Sequence, residues 1–157
     1  MSYAMTRRKA SLNHHGLFRV EGDCIRPHAF SYMELADLHS DYQVDNLAKV
    51  DDRLEGKGVR LRKVLDMAGP HYQAKFLQVE SEDGKFRYTV PLDEVGRTGV
   101  IVYEKGGKPL EREDGGPTRL FVPYWPDKCA NVKGLGKLRI LIHQPDDDTK
   151  PAPKHDA

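Results

Sequence analysis

The residues able to do chemistry are scattered along the 157-residue chain rather than gathered in one motif. Seven histidines and two cysteines raise the question of zinc. A zinc site needs donors that converge, which C-x-x-C or H-E-x-x-H spacing achieves on a local scaffold. Neither pattern occurs, and His14 and His15 are adjacent rather than one helical turn apart. They read as solvated histidines in "NHHG". A nucleophilic site needs a Ser or Cys poised by a base beside an oxyanion donor, and no G-x-S-x-G is present. Cys24 falls in or beside an expected strand, where a small buried thiol is the common outcome. Cys129 lies in a polar loop next to Lys128, a neighbour that favours thiolate, but a simple loop thiol is the plainer reading.

Glycine pairs Gly106-Gly107 and Gly115-Gly116 suggest a phosphate loop, yet neither opens a helix with G-x-G-x-x-G or G-K-[ST] spacing. As turn residues they need no ligand. Asp51-Asp52 and Asp146-Asp147-Asp148 read as solvated acidic runs, because paired-carboxylate catalysis would need a convergence that adjacency does not supply.

The elements that would have to position these groups are short. "GLFRVEGDCI" alternates weakly and stops at Arg26-Pro27, giving a first strand. "SYMELADL" carries a capping box, Ser31 as N-cap with Glu34 three residues on, and so predicts a short helix. "YQVDNLAKV" predicts a strand and "DRLEGKG" a turn-rich loop. In "VRLRKVLDMAG", Val59, Leu61, Val64, Leu65 and Ala68 share a helical face that Gly69-Pro70 ends. "AKFLQVESEDGKFRYTVPL" reads as two β runs around Asp83-Gly84, a dipeptide suited to the positive φ angles of a tight hairpin. "GVIVYEKGGKPL", "TRLFVPYW" and "KLRILIH" supply further strands. With roughly seven short strands and about two or three short helices, not in strict alternation, the expected class is α+β, mainly β, rather than a doubly wound parallel sheet.

Composition narrows the function classes. A formal net charge of +1, with basic and acidic residues interspersed, gives no case for nucleic acid or an acidic membrane surface. No apolar run approaches the roughly 20 residues a membrane span requires. Arg7, Arg8 and Lys9 are followed by "ASLNHHG" rather than an apolar core, so no signal peptide is expected and a reducing cytoplasm is the expected setting. Cys24 and Cys129 allow at most one bridge. Residues 1–15 and 144–157 lack apolar periodicity and read as flexible ends around one domain, 16–143.

The order of motifs carries more information than any one of them. Gly58-Val59-Arg60-Leu61, then Asp83-Gly84, then Gly107-Lys108-Pro109-Leu110, then Gly115-Gly116-Pro117-Thr118-Arg119, then Val132-Lys133 follow one another along the chain. This succession resembles the molybdopterin-binding domain of the sulfite oxidase family. Upstream, "FRVEGDCIRPHAFSYMELADL" is similar to that family's opening strand, turn and small helix, so the likeness runs from about Leu17 to Ile142.

The resemblance implies a compact, mostly β α+β domain around a pyranopterin-bound molybdenum that performs oxo transfer, with one protein cysteine thiolate on the metal. It also implies where this chain departs. The ligand cysteine belongs about a dozen residues before Gly58, in "DYQVDNLAKVDDRLEG", where Asn46 is nearest and no cysteine occurs. A neutral carboxamide is a poor replacement for a thiolate. By resemblance, the cofactor-binding residues are Lys133, Asn131 and Arg119, with His14 and His15 matching a pterin-contacting segment, while Ala130 stands where relatives often carry Arg. No metal ligand is assigned. Two readings follow. One is a molybdopterin-dependent oxidoreductase whose molybdenum is held by non-protein ligands. The other is a scaffold that has lost the cofactor and binds another small ligand or a protein. The sequence names no substrate, electron acceptor or redox partner.

Overall fold

The computed structural model describes residues 16–149, so His14 and His15 lie outside the described residues. The elements are β1 (Phe18–Gly22), β2 (His28–Phe30), α1 (Tyr32–Ala36), β3 (Gln43–Val44), β4 (Lys57–Arg60), α2 (Leu61–Ala68), β5 (Phe76–Ser81), β6 (Arg87–Pro91), α3 (Leu92–Thr98), β7 (Val100–Lys105), β8 (Lys108–Pro109), β9 (Arg119–Phe121) and β10 (Leu135–Leu141). Single 3₁₀ turns occupy Ser40–Tyr42, Leu47–Lys49, Arg112–Asp114 and Lys128–Ala130. The class is α+β with more strand than helix, as the sequence predicts. No helix among the described residues is long and apolar enough to cross a membrane.

Two sheets divide the strands. The first runs β2-β1-β10-β5-β6, with β10 parallel to β1 and antiparallel to β5. The second runs β3-β4-β7-β8, and β9 also pairs with β7. Between them lies the main core, to which Val20, Leu77, Val79, Leu138 and Ile140 come from the first sheet and Val59, Ile101, Tyr103 and Leu120 from the second. The helices add Leu35, Leu61, Val64, Leu65, Ala68 and Val95.

β7 shows why "VIVY" is apolar without interruption. Ile101 and Tyr103 enter the main core, while Val100 and Val102, on the opposite face, join Val44, Leu47, Leu110 and Phe121 in a second, smaller cluster. Side chains alternate along a strand, so a strand buried on both faces cannot show a polar/apolar alternation. The second cluster is the floor on which the candidate site stands.

Local predictions meet the structure unevenly. The capping box forms as written: the Glu34 N–H donates to Ser31 Oγ at 3.2 Å, and the Ser31 N–H donates to Glu34 Oε1 at 3.0 Å. In α2 the buried residues are Leu61, Val64, Leu65 and Ala68, and Gly69 closes the helix in a left-handed conformation. Val59 instead lies in β4, because pairing with Ile101 of β7 takes the backbone that a longer helix would use. The Asp83-Gly84 hairpin is present with a single positive φ, at Gly84 (75°), where the Gly84 N–H donates to the Ser81 carbonyl at 2.9 Å.

The predicted strand over "YQVDNLAKV" is reduced to Gln43–Val44. Asn46 ends it, because its Oδ1 accepts from the Ala48 N–H at 3.0 Å and starts a 3₁₀ turn. This is the local competition by which Asn side chains displace strand pairing. The stub stays in place because the fully buried Tyr103 hydroxyl donates to Gln43 Oε1 at 2.7 Å, while Gln43 Nε2 donates to the Leu35 and Leu38 carbonyls.

A further correction concerns the acidic run read as solvated; residues 150–157 of the expected flexible tail lie outside the described residues. Residues 147–149 dock along β6. Asp148 accepts from the Thr89 N–H at 2.9 Å and from Thr89 Oγ1 at 2.8 Å, and the Thr149 N–H donates to the Arg87 carbonyl at 2.9 Å. Buried Gln78 donates to both Asp147 and Asp148. Residues 147–149 thus cover the edge of β6, satisfying ladder groups that an edge strand leaves open.

Candidate functional site

The site forms on the outer face of the second sheet, over the small apolar cluster. Arg119 opens β9 opposite Val102, so its neighbours along β9 alternate between the two cores and its own side chain runs out beside the second. Lys133 is brought next to it by a zipper of backbone bonds. The Leu120 N–H donates to the Val132 carbonyl at 2.9 Å, the Leu135 N–H to the Thr118 carbonyl at 2.8 Å, and the Gly134 N–H to the Gly115 carbonyl at 2.8 Å.

Gly115 makes the juxtaposition sterically feasible. Its φ is 93°, and a Cβ there would stand 3.1 Å from Arg119 Cδ and 3.1 Å from Lys133 Cγ. The two cationic stems therefore pass through a notch that only glycine leaves open. The cis Gly116-Pro117 peptide follows.

Arg119 and Lys133 line a cavity of about 220 Å³ with Leu47, Leu54, Val102, Leu110 and Phe121 as its apolar wall. Its charged lining is Arg53, Lys105, Arg119 and Lys133 against Glu55, Glu113 and Asp114. Two of these cations are already matched. Arg53 makes a bidentate pair with Asp51, which holds the Asp51 carboxyl down at about 2. Lys105 Nζ is 3.0 Å from Asp114 Oδ1 and 3.5 Å from Glu55 Oε1.

The other two are not. Half-buried Arg119 donates from Nη1 to the Asp114 backbone carbonyl at 3.3 Å, and burial pulls its pKa below the usual guanidinium value. Among the described residues neither Arg119 nor Lys133 makes a salt bridge, although the Asp114 carboxylate is close enough to favour the charged guanidinium. A partly desolvated guanidinium beside an ammonium, neither tied directly to a carboxylate, is suited to a charge-assisted anion contact.

A second cavity of about 500 Å³ adjoins the first and shares Leu54, Glu55 and Lys105 with it. Asn46 lines this second space, with Asp45, Ala48, Gly56 and Lys57 nearby. The structure therefore sets Asn46 at one end and Arg119 with Lys133 at the other, with Lys105 and Glu55 between. Asn131 is placed differently: its Oδ1 accepts from the Val122 N–H at 2.8 Å and fixes the loop that carries Lys133. Neither cysteine lines either cavity. Cys24 forms a bridge with Pro70 beside the first sheet, and burial, then Asp23 and Glu21, push its thiol pKa up. Cys129 belongs to the 3₁₀ turn that Asp127 caps, its N–H donating to Asp127 Oδ1 at 2.9 Å. Cys24 and Cys129 are not joined to each other.

Sequence reasoning missed Arg53, Lys105, Glu55, Glu113 and Asp114. The one available signal was the charged, glycine-punctuated spacing of "DRLEGKG" and "EKGGKPLERED", which places charges at loop ends without saying which loops meet.

Molybdopterin can be tested against this donor set. Arg119 and Lys133, over the Gly115 notch, have the charge and donors to suit a phosphate. Neither cysteine lines the two cavities, and the carbonyl oxygen of Asn46 is engaged by Ala48. Among the described residues no three His, Cys, Asp or Glu side chains are grouped to hold a metal.

Comparison with known proteins agrees with the fold. No curated protein sequence matches the chain. Among solved structures, the sulfane dehydrogenase SoxCD from Paracoccus pantotrophus is similar at a TM-score of 0.61 and 21% identity, over 80% of this chain and 38% of that one. The likeness is one of fold, and the chain spans well under half the length of that relative. The family model for the oxidoreductase molybdopterin binding domain matches residues 52–148, a stretch that holds Arg53, Lys105, Asp114, Arg119 and Lys133 and begins after Asn46. With more than half of its length matched in this way, the chain belongs to the oxidoreductase molybdopterin binding domain family.

Proposed function

We propose that this domain binds an anionic, phosphate-bearing ligand of the molybdopterin class, with the phosphate held by Arg119 and Lys133, and that thiolate-dependent sulfite oxidase chemistry is not its activity. The observation that carries the proposal is the partly buried Arg119 beside Lys133, neither in a salt bridge among the described residues. Half-burying a guanidinium without a direct ion pair costs stability, and an incoming anion offsets that cost. When bound, a molybdopterin supplies oxo-transfer chemistry; the described residues supply charge, orientation and an apolar floor.

A second reading, a cofactor-free scaffold for a smaller ligand or a protein, is favoured by one feature. The Arg119 cavity, at about 220 Å³, is below the ~300–1,000 Å³ of sites that enclose a drug-sized ligand, and Lys105 spans the route to the Asn46 space. The two readings share the anion site and differ in what lies beyond it.

Titrating the isotope-labelled chain with inorganic phosphate tests the shared part. Amide shifts centred on Gly115, Arg119 and Lys133 are expected, with Cys24 unmoved. No saturable shift, or shifts centred elsewhere, would remove the anion site and the proposal with it.

A further inference from the structure

Lys105 stands where the two cavities meet, and the anion site described above leaves it unused. Its ammonium, at the end of β7, is held by Asp114 Oδ1 at 3.0 Å and by Glu55 Oε1 at 3.5 Å, and the Asp114 hydrogen bond raises its pKa. Asp114 also reaches Arg119, whose Nη1 donates to the Asp114 carbonyl oxygen at 3.3 Å. One residue thus touches two of the cavity's cations, and it immediately precedes the Gly115 notch that orders Arg119 and Lys133. A carboxylate and a phosphate accept the same charge-assisted hydrogen bonds, and an ammonium with three rotatable donors can exchange one for the other. A monoanion replacing Asp114 gains no charge. A phosphate dianion does.

We propose that Asp114 is a built-in competitor for the ligand's anion: it holds Lys105 until a phosphate dianion takes its place, and Lys105 then becomes a third cationic contact beside Arg119 and Lys133. The inference rests on the anion-binding reading and adds a specificity element to it, a preference for dianionic phosphate over monoanions. A purely structural role for the Lys105–Asp114 pair, tying β7 to the 3₁₀ turn at Arg112–Asp114, predicts the opposite response to loss of the carboxylate charge. The turn would loosen, and the anion would bind more weakly.

The test is calorimetric titration of the full chain with inorganic phosphate at fixed ionic strength. The wild type is compared with Asp114→Asn, Lys105→Met, the double variant and Arg119→Met. Asp114→Asn keeps the shape and an acceptor oxygen while removing the competing charge, so phosphate should bind about tenfold more tightly. The gain should vanish in the double variant. Lys105→Met alone, which leaves the turn's backbone untouched, should weaken binding by about threefold.

Asp114→Asn binding no more tightly than wild type overturns the inference, as does a gain that survives in the double variant. If Asp114→Asn does not fold, the single Lys105→Met decides, and unchanged phosphate affinity there overturns it. Phosphate binding that is sensitive to Arg119→Met but indifferent to Asp114 and Lys105 removes this inference alone. No phosphate binding by either wild type or Asp114→Asn removes the anion site as well.

Discussion

Replacing Arg119 with methionine separates what this side chain does for the fold from what it does for a ligand. The guanidinium is half-buried, its pKa is lowered by desolvation, and its one hydrogen bond in the described structure is a long one of 3.3 Å to a backbone carbonyl. Methionine keeps an unbranched apolar stem in a cavity that Leu110 and Phe121 also line, and discards a charge that no salt bridge holds. Point substitutions destabilise on average by about 1 kcal/mol, and surface ones usually by about 0.5 kcal/mol or less. Here relief of desolvation offsets the lost hydrogen bond, so Arg119→Met should be neutral or more stable by up to about 1 kcal/mol in phosphate-free buffer.

Phosphate should invert that order. One unit charge about 4 Å from the anion contributes roughly 1–4 kcal/mol at effective dielectric constants between 80 and 20. The variant should therefore bind phosphate about 5- to 700-fold more weakly. At a phosphate concentration ten times the wild-type Kd, linkage stabilises wild type by about 1.4 kcal/mol and the variant by about 0.6 kcal/mol or less. Urea unfolding of both proteins, with and without phosphate, reads the crossing directly. A variant more than about 1 kcal/mol less stable without phosphate, and no differential gain with it, would show that Arg119 is a structural residue.

Three other outcomes follow from the geometry. Gly115→Ala places a Cβ 3.1 Å from both cationic stems at a φ of 93°; it should cost about 1–3 kcal/mol in urea unfolding and weaken phosphate binding in the same variant. Asp148→Ala removes the acceptor of the Thr89 N–H, so hydrogen exchange at the Thr89 amide should accelerate by tenfold or more while the β10 amides keep their protection. Asp51 has its folded-state pKa depressed to about 2 by Arg53, below its unfolded value of about 3.9. Its stabilisation is therefore complete above about pH 4 and is lost as pH falls towards 2; the stability difference between wild type and Asp51→Asn should shrink over that window, and a constant difference would contradict the pairing.

How much of this was legible in the sequence depended on whether a feature is local. The Ser31–Glu34 box, the Leu61, Val64, Leu65, Ala68 stripe and the Gly84 turn are decided by residues within a few positions of one another, and all are present. The strand predicted through Asn46 failed because one side-chain acceptor at Asn46 outweighs the β propensity of its neighbours. Helix α3 was not anticipated; "PLDEVGRT" has Asp93 and Glu94 in a favourable first turn, but Gly96 inside it obscures the pattern. A Cβ at Gly96 would meet Leu65 of α2 at an ordinary contact distance of 3.5 Å, so the packing of α3 on α2 does not itself require glycine there.

The site divides along the same line. Arg119 and Lys133 were singled out through a family resemblance, and the β9 zipper brings them together. Lys105, Asp114 and Glu55 come from three separate segments and converge only after β7 has paired with β4 and β8. Nothing in their local sequence marks that meeting. The Asp146–Asp148 run looked solvated because acidic tails usually are; buried Gln78 and the open edge of β6 supply partners that composition does not reveal.

The central claim is that the Arg119–Lys133 cleft binds a molybdopterin-class ligand through its phosphate and that no protein thiolate participates. The most direct measurement is pterin and metal analysis of wild type and Lys133→Met purified from a host that makes molybdopterin, with sulfur coordination of any molybdenum read by X-ray absorption. The account predicts pterin in wild type, its loss in Lys133→Met, and no protein sulfur on any molybdenum present. Wild type without pterin, equal pterin in both proteins, or a protein thiolate bound to molybdenum would contradict it.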